Sequence, residues 1–201
     1  INDCEADDVI AYIARNRNKN RCVIASSDKD LYQLLSKKVI QWSPGQKKFL
    51  TMLDILNKFN IASINFCTAR AFIGDSSDNL PGVPLAGFAS LSKRFPELSQ
   101  NNFVSVEDII ISAEEKKESS KLKIINNICQ YSDRARLNWK LMYLDINNLS
   151  ASQIEKIEFM LENPSSNRNK LSLIKSFSKL GINNFDIDSF YSSLSSVGKK
   201  S

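Results

Sequence analysis

The sequence predicts an α/β chain that is mostly helical, in which a partial parallel sheet leads into a helix-hairpin-helix and then a helical carboxy-terminal region. Three observations predict it. The apolar run Cys22-Val23-Ile24-Ala25 is followed at once by a helical pattern, a Pro- and Gly-bearing loop at Leu80–Gly87 separates two further helical patterns, and helical periodicity continues after it.

The acidic opening Ile1 to Asp8 is followed by Val9, Ile10, Ile13 and Ala14 at helical spacing, so a helix starts within a few residues of Ile1. Cys22–Ala25, the loop Ser26-Ser27-Asp28, and Leu31, Leu34 and Leu35 on one helical face predict strand, loop, helix. Val39-Ile40-Gln41-Trp42 before Ser43-Pro44-Gly45 predicts a second strand closed by a turn. Thr51 predicts the cap of a short helix carrying Leu53, Ile55, Leu56 and Phe59. From about residue 64 no strand is predicted, and helical patterns fall at about 64–73, 88–95, 105–117, 119–131, 134–145, 151–162, 166–180 and 186–197. Pro81, Pro84, Pro96 and Pro164 punctuate them. Glu114-Glu115-Lys116-Lys117-Glu118 reads as a solvated helix face and Gly198-Lys199-Lys200-Ser201 as a frayed end.

Three regions are expected: a partial α/β core at 1–63, a helix-hairpin-helix at 64–98 and a helical part at 99–201. A strand as uniformly apolar as 22–25 is the kind buried on both faces of a parallel sheet, and it needs neighbours on both edges. The chain offers at most one or two, so strands preceding Ile1 are expected from outside this sequence.

Composition narrows the chemistry. The 201 residues include no His, which removes Ser-His-Asp and Cys-His catalysis and the usual zinc-enzyme ligand sets, and leaves carboxylate chemistry. With 6 Gly there is neither G-x-G-x-x-G nor G-x-x-x-x-G-K-[ST], so nucleotide cradles are not signalled. Cys4, Cys22, Cys67 and Cys129 form no C-x-x-C, and a reducing, cytoplasmic setting is expected. No apolar run approaches the roughly 18 residues of a membrane helix. The net charge of +5 is a mild bias toward polyanionic partners.

Three acidic groups stand out: Glu5-Ala6-Asp7-Asp8, Asp28-Lys29-Asp30 and Asp75-Ser76-Ser77-Asp78. Glu5 with Asp8, and Asp75 with Asp78, are three residues apart, which on a helix puts both side chains on one face. Asp28 and Asp30 follow the carboxyl end of a strand, where open α/β sheets build their sites. Each group alone reads more simply as capping or turn charge. Together they repel unless a cation holds them, and magnesium or manganese, hard ions that prefer oxygen, would do so. In a chain without His this begins to favour two-metal phosphodiester chemistry. The loop after the third group has the form of a hairpin whose backbone N–H groups face a DNA phosphate, with Gly82, Val83, Gly87 and Ser90 as candidates and Lys93 and Arg94 adding charge.

These segments resemble the structure-specific 5′-nuclease family: flap endonucleases, phage 5′→3′ exonucleases and the 5′-nuclease domain of bacterial DNA polymerase I. The motifs are Glu5-Ala6-Asp7-Asp8, Ser27-Asp28-Lys29-Asp30-Leu31 with Gln33-Leu34-Leu35, and Gly74-Asp75-Ser76-Ser77-Asp78-Asn79-Leu80-Pro81-Gly82-Val83-Pro84, in the family's order over roughly residues 3–95. The resemblance implies a PIN-like sheet and metal-site carboxylates at Glu5, Asp7, Asp8, Asp28, Asp30, Asp75 and Asp78. It also implies two or more magnesium or manganese ions, and a hairpin over Gly82 to Gly87 that grips duplex DNA, with a potassium ion there. The chain departs from the family twice. The upstream aspartate-bearing strand and the helical arch have no counterpart, and the family's Gly-Ile-Gly-x-Lys-Thr stands here as Leu85-Ala86-Gly87-Phe88-Ala89-Ser90.

The expectation is therefore the carboxy-terminal part of a metal-dependent 5′ nuclease acting on DNA with a 5′ flap, 5′ end or junction, completed by an amino-terminal nuclease partner chain. The alternatives are a non-catalytic DNA-binding subunit using the hairpin, and a PIN-like ribonuclease.

Overall fold

The computed structural model describes residues 1–16, 21–118, 122–163, 169–182 and 184–197. The expected frayed end at 198–201, Pro164 and the first residues of the helices expected at 119–131 and 166–180 lie outside the described residues. Two compact units emerge, Ile1–Ile154 and Glu155–Ser201.

In the first unit, helix α1 (Ala6–Asn16) carries Asp7 and Asp8 in its first turn and Arg15 in its last, each sign suited to the helix dipole. Strand β1 (Cys22–Ala25) pairs in parallel with β2 (Val39–Ser43), Cys22 opposite Val39 and Ala25 opposite Trp42. A strand the sequence did not signal, β3 (Lys48–Leu50), pairs antiparallel with β2. Its three residues are too few to show alternation; Trp42 opposite Phe49, rings 4.9 Å apart, supplies the cross-strand contact.

β1 is not buried on both faces as its composition suggested. Ile24 is buried while Val23, on the opposite face, is 52% exposed, and among the described residues β1 pairs only with β2 and stands at the sheet edge. Leu31 and Leu34 lie on a single 3-10 turn, Asp30–Leu34, and not on an α-helix. Leu35 turns extended there and leads the chain into β2.

Helix α2 (Met52–Phe59) starts at a reciprocal cap. Thr51 Oγ1 accepts from the Asp54 N–H at 3.3 Å, and the Asp54 carboxylate accepts from the Thr51 N–H at 2.8 Å. Helix α3 (Phe66–Ile73) is buried from Phe66 through Phe72. A two-stranded hairpin follows, β4 (Gly74–Asp75) against β5 (Leu80–Pro81), where no strand was expected. Then come α4 (Phe88–Arg94), α5 (Val106–Lys117), α6 (Lys123–Gln130), α7 (Ser132–Met142), which packs on α3, and α8 (Ala151–Glu162).

Tyr32, Phe59, Phe66 and Phe88 form one aromatic cluster with centroids 4.5–6.3 Å apart, joining the turn after β1 to α2, α3 and α4. This core fixes the carboxylate loop and the hairpin to one body. In the second unit, α9 (Lys170–Lys179) and α10 (Ile187–Val197) meet through Phe177, Phe185 and Phe190. The four cysteines are free, and among the described residues no helix is long and apolar enough to cross a membrane.

Candidate metal centre and hairpin

The turn after β1 presents Asp28 and Asp30 because it is held from beneath by two glutamines. Gln41 on β2, fully buried, donates through Nε2 to the carbonyls of Ser26 and Asp28, both at 2.8 Å. Gln33 donates to the Asp30 carbonyl and to the Met142 carbonyl, both at 2.9 Å, and accepts from the Leu144 N–H at 3.2 Å. The Asp30 N–H in turn bonds the Asp28 carboxylate at 2.8 Å. The loop's backbone groups are satisfied by side chains, which leaves the carboxylates outward.

Asp75 and Asp78 do not lie on a helix, as their spacing suggested. Gly74, at φ 79°, ends α3, and the chain turns into the β4–β5 hairpin. Asp75 Oδ1 accepts from the Ser77 N–H at 2.9 Å, and Asn79 takes φ 55°, a left-handed conformation that Asn tolerates. The hairpin brings Asp75 and Asp78 to Asp30: one oxygen from each lies within 4.8 Å of the others.

Glu5, Asp7, Asp28, Asp30 and Asp78 line one cleft of about 380 Å³, walled on its apolar side by Leu80, Leu141, Met142 and Leu144. Asp8 is not among its lining residues; its carboxylate accepts from Asn148 Nδ2 at 3.0 Å. Glu5 precedes α1, so Glu5 and Asp8 do not share a helical face. A larger cavity of about 640 Å³, bounded by Arg15, Lys37, Ser63, Phe103 and Tyr143, has no acidic lining residue and offers no oxygen cluster for a cation.

The crowding of negative charge is visible in the protonation equilibria. Burial pushes Asp7 above its ordinary value, and Asp28, Glu5 and Asp8 push it further. Burial also raises Asp30, with the Arg70 guanidinium opposing and Asp28 and Asp75 adding to the rise. Asp75 goes the other way, to about 2, held down by the Ser77 hydroxyl and N–H and by Arg70. Arg70 on α3, 11% exposed at its side chain, pairs with Asp30 at 3.1 Å and with Asp75. Sequence reasoning passed over Arg70, although a lone cation on the otherwise apolar helix Phe-Cys-Thr-Ala-Arg-Ala-Phe-Ile was the available signal.

The hairpin residues are occupied internally. Gly82 lies against α3 so closely that a methyl there would sit 1.9 Å from the Ile73 carbonyl oxygen. Val83 is buried, and its N–H donates to the Phe72 carbonyl at 2.7 Å, so it faces the core and not a ligand. Gly87 precedes α4 and donates its N–H to Ser90 Oγ at 2.9 Å. The Ser90 hydroxyl also contacts the Leu85 and Gly87 carbonyls. Lys93 and Arg94, by contrast, line a cleft of about 390 Å³ together with Ser90 and Lys123, the last contributed by α6. Lys123 was missed because nothing in its local sequence shows that α6 returns beside α4.

Residues 1–60 match the family described as 5′-3′ exonuclease, N-terminal resolvase-like domain. The chain is 40% identical over 88 residues to a 5′-3′ exonuclease of Halalkalibacterium halodurans, covering 41% of this chain and 29% of that protein. It is 31% identical over 147 residues to flap endonuclease Xni of Shewanella woodyi, covering 71% and 54%. It is 32% identical over 139 residues to the thermostable DNA polymerase I of Thermus aquaticus, covering 68% and 16%. The chain thus spans from about a sixth to about half of these relatives. Among solved structures, a variant of T5 5′-exonuclease superposes with a TM-score of 0.65 at 25% identity, over 79% of this chain and 65% of that one. T5 5′-exonuclease with bound divalent zinc ions gives the same score and identity over 79% and 59%. By sequence and by fold, the chain is similar to proteins of the 5′-nuclease family.

Proposed function

We propose that the chain forms the carboxylate-bearing and duplex-holding part of a metal-dependent 5′ nuclease acting on DNA at a 5′ flap, 5′ end or junction. The observation that carries this reading is the convergence of Asp30, Asp75 and Asp78 oxygens within 4.8 Å, beside a cleft lined by Glu5, Asp7 and Asp28. An all-oxygen donor set of this charge fits magnesium or manganese and does not fit a soft ion. Such ions, when bound, supply Lewis-acid activation of water and neutralise charge developing on the phosphate.

The chain's own groups do the rest. Asp30, Asp75 and Asp78 would hold the ions, with Glu5, Asp7 and Asp28 on the adjoining wall, while Gln33 and Gln41 fix the loop that aims Asp28 and Asp30. Asp8 belongs to this set only through the resemblance, since its carboxylate is turned to Asn148. Leu80, Leu141 and Leu144 give the cleft one apolar wall. Lys93, Arg94 and Lys123 meet backbone phosphates of the duplex without reading bases. In this division residues 1–63 carry the α/β core with Glu5, Asp7, Asp28 and Asp30, residues 64–98 carry the hairpin region and add Asp75 and Asp78, and 99–201 form the helical carboxy-terminal region. A potassium ion at the hairpin would have to share carbonyls that are already bonded. The carbonyls of Gly82, Val83, Pro84, Leu85 and Gly87 already accept bonds from Arg134, Ala86, Asn127 and Ser90.

An amino-terminal segment or partner chain completes the sheet beside β1, a proposal supported by the unpaired edge of that strand and the exposure of Val23. The test is cleavage of a 5′-labelled flap in magnesium or manganese by the chain joined to an amino-terminal partner, with and without Asp28→Asn or Asp75→Asn. Loss of cleavage with DNA binding nearly intact is expected. Equal loss of both sinks the metal assignment, and undiminished cleavage with the carboxylates neutralised favours a DNA-holding subunit without catalysis.

A further inference from the structure

Arg70 is in an unusual place for a cation. It sits in the middle of the buried helix α3, and its guanidinium donates to Asp30 Oδ1 at 3.1 Å and to Asp75 Oδ2. Its Nε is buried without a hydrogen-bond partner, so the group gains little from this position apart from the two carboxylates. Asp75 already accepts three bonds: Oδ2 takes Arg70, and Oδ1 takes the Ser77 N–H and hydroxyl, which leaves one lone pair, on Oδ2, for a metal ion. Two of the three carboxylates gathered within 4.8 Å are therefore already joined by one fixed positive charge.

A guanidinium stays charged at any pH a protein survives, and its planar fork can hold two acceptors at once. Its charge adds to that of any divalent ion near the same oxygens, with the same sign. The attraction that gathers Asp30 and Asp75 is thus also a repulsion toward an incoming metal, and a cation must share those oxygens with the guanidinium.

We propose that Arg70 is a resident counter-cation of the Asp30–Asp75–Asp78 cluster: it holds the carboxylates together when no divalent ion is present and weakens divalent binding, keeping the ion exchangeable. The second half rests on the reading of this cluster as a metal centre. Arg70 is a positioning residue in this role and touches no substrate.

Two measurements on the 201-residue chain test it. In the first, melting temperatures without metal are compared for wild type, Arg70→Met, Asp75→Asn and the double variant. The expected result is strong coupling, with Asp75→Asn recovering much of the loss caused by Arg70→Met; additive losses overturn the proposal. In the second, Mn2+ is titrated calorimetrically. Arg70→Met, which removes the charge and keeps the bulk, is expected to bind at least about tenfold tighter than wild type. Arg70→Lys, which keeps the charge, is expected to stay within about threefold of wild type. If Arg70→Met does not fold, Arg70→Gln takes its place in both measurements. Wild type that binds Mn2+ with no gain in the neutral variant overturns the Arg70 proposal alone. Absence of Mn2+ binding in every variant overturns the metal reading and, with it, the opposing role of Arg70.

Discussion

Gly74 and Gly82 meet backbone to backbone: a methyl on Gly74 would lie 2.4 Å from the Gly82 nitrogen and 2.8 Å from its α-carbon. Gly74 also holds φ 79° with ψ −177°, a conformation open essentially only to glycine. This contact closes the β4–β5 hairpin that carries Asp75 and Asp78. Gly74→Ala and Gly82→Ala are each expected to destabilise the chain by more than about 3 kcal/mol, through backbone displacement at a buried contact. Gly87→Ala should change stability by less than about 1 kcal/mol, since its φ is an ordinary extended one and the added methyl meets only Ser90 Oγ at 3.9 Å. Urea denaturation of the three variants checks this ranking.

Leu85 offers the opposite case. It takes φ 69° in the hairpin loop with its side chain 64% exposed, so a leucine bears left-handed strain with little packing in return. Leu85→Gly is expected to stabilise by about 1 kcal/mol, read as a rise in denaturation midpoint without a change in slope.

The acidic groups of the cleft give the metal-free chain a distinctive pH profile. Asp7 and Asp30 have folded-state values above the ordinary one, so their charged forms penalise the fold at neutral pH and the penalty is relieved as pH falls through those raised values. Asp75, lowered to about 2, and Asp54 and Asp108, also lowered, contribute stability above the ordinary carboxylate value that is lost as pH falls through their depressed ones. The melting temperature is therefore expected to rise on mild acidification and then to fall steeply toward about pH 2. Asp30→Asn should flatten the rise, and a melting temperature that only falls with acid refutes the account of the cleft.

Asn65 anchors the loop that leads from α4 to α5. Its Nδ2 lies 2.9–3.2 Å from the carbonyls of Leu98, Gln100 and Asn102, and its Oδ1 accepts from the Val104 N–H at 2.8 Å. Asn65→Ala is expected to cost about 2–4 kcal/mol, because two buried and two part-buried backbone groups lose their partner at once. Asn65→Asp should cost at least as much, since it sets a carboxylate against three carbonyls. Thermal unfolding followed by circular dichroism reads both.

The carboxylates themselves should separate by position. Asp30→Asn is expected to weaken Mn2+ binding by at least about tenfold, whereas Asp8→Asn, whose side chain is turned to Asn148, should change it by less than about threefold. Calorimetric titration distinguishes the two, and equal losses restore Asp8 to the cluster.

Local chemistry made much of this chain legible from its residues. Thr51 announced a helix start because a cap is satisfied within four residues, here by Asp54. The three acidic motifs and the hairpin could be read because their spacing is itself local. What only the tertiary structure decided is where non-local partners fall. β3 needed β2 opposite it to exist, and Asp75 and Asp78 took a hairpin because Gly82 could approach Ile73. Val83, placed by sequence on the DNA side, was turned inward by its bond to Phe72. Arg70 and Lys123 entered their clusters through helices packed against distant segments, and Asp8 left its own because Asn148 lies 140 positions away in the chain. A one-dimensional pattern records the residues that can carry charge, and packing selects which of those charges must share a space.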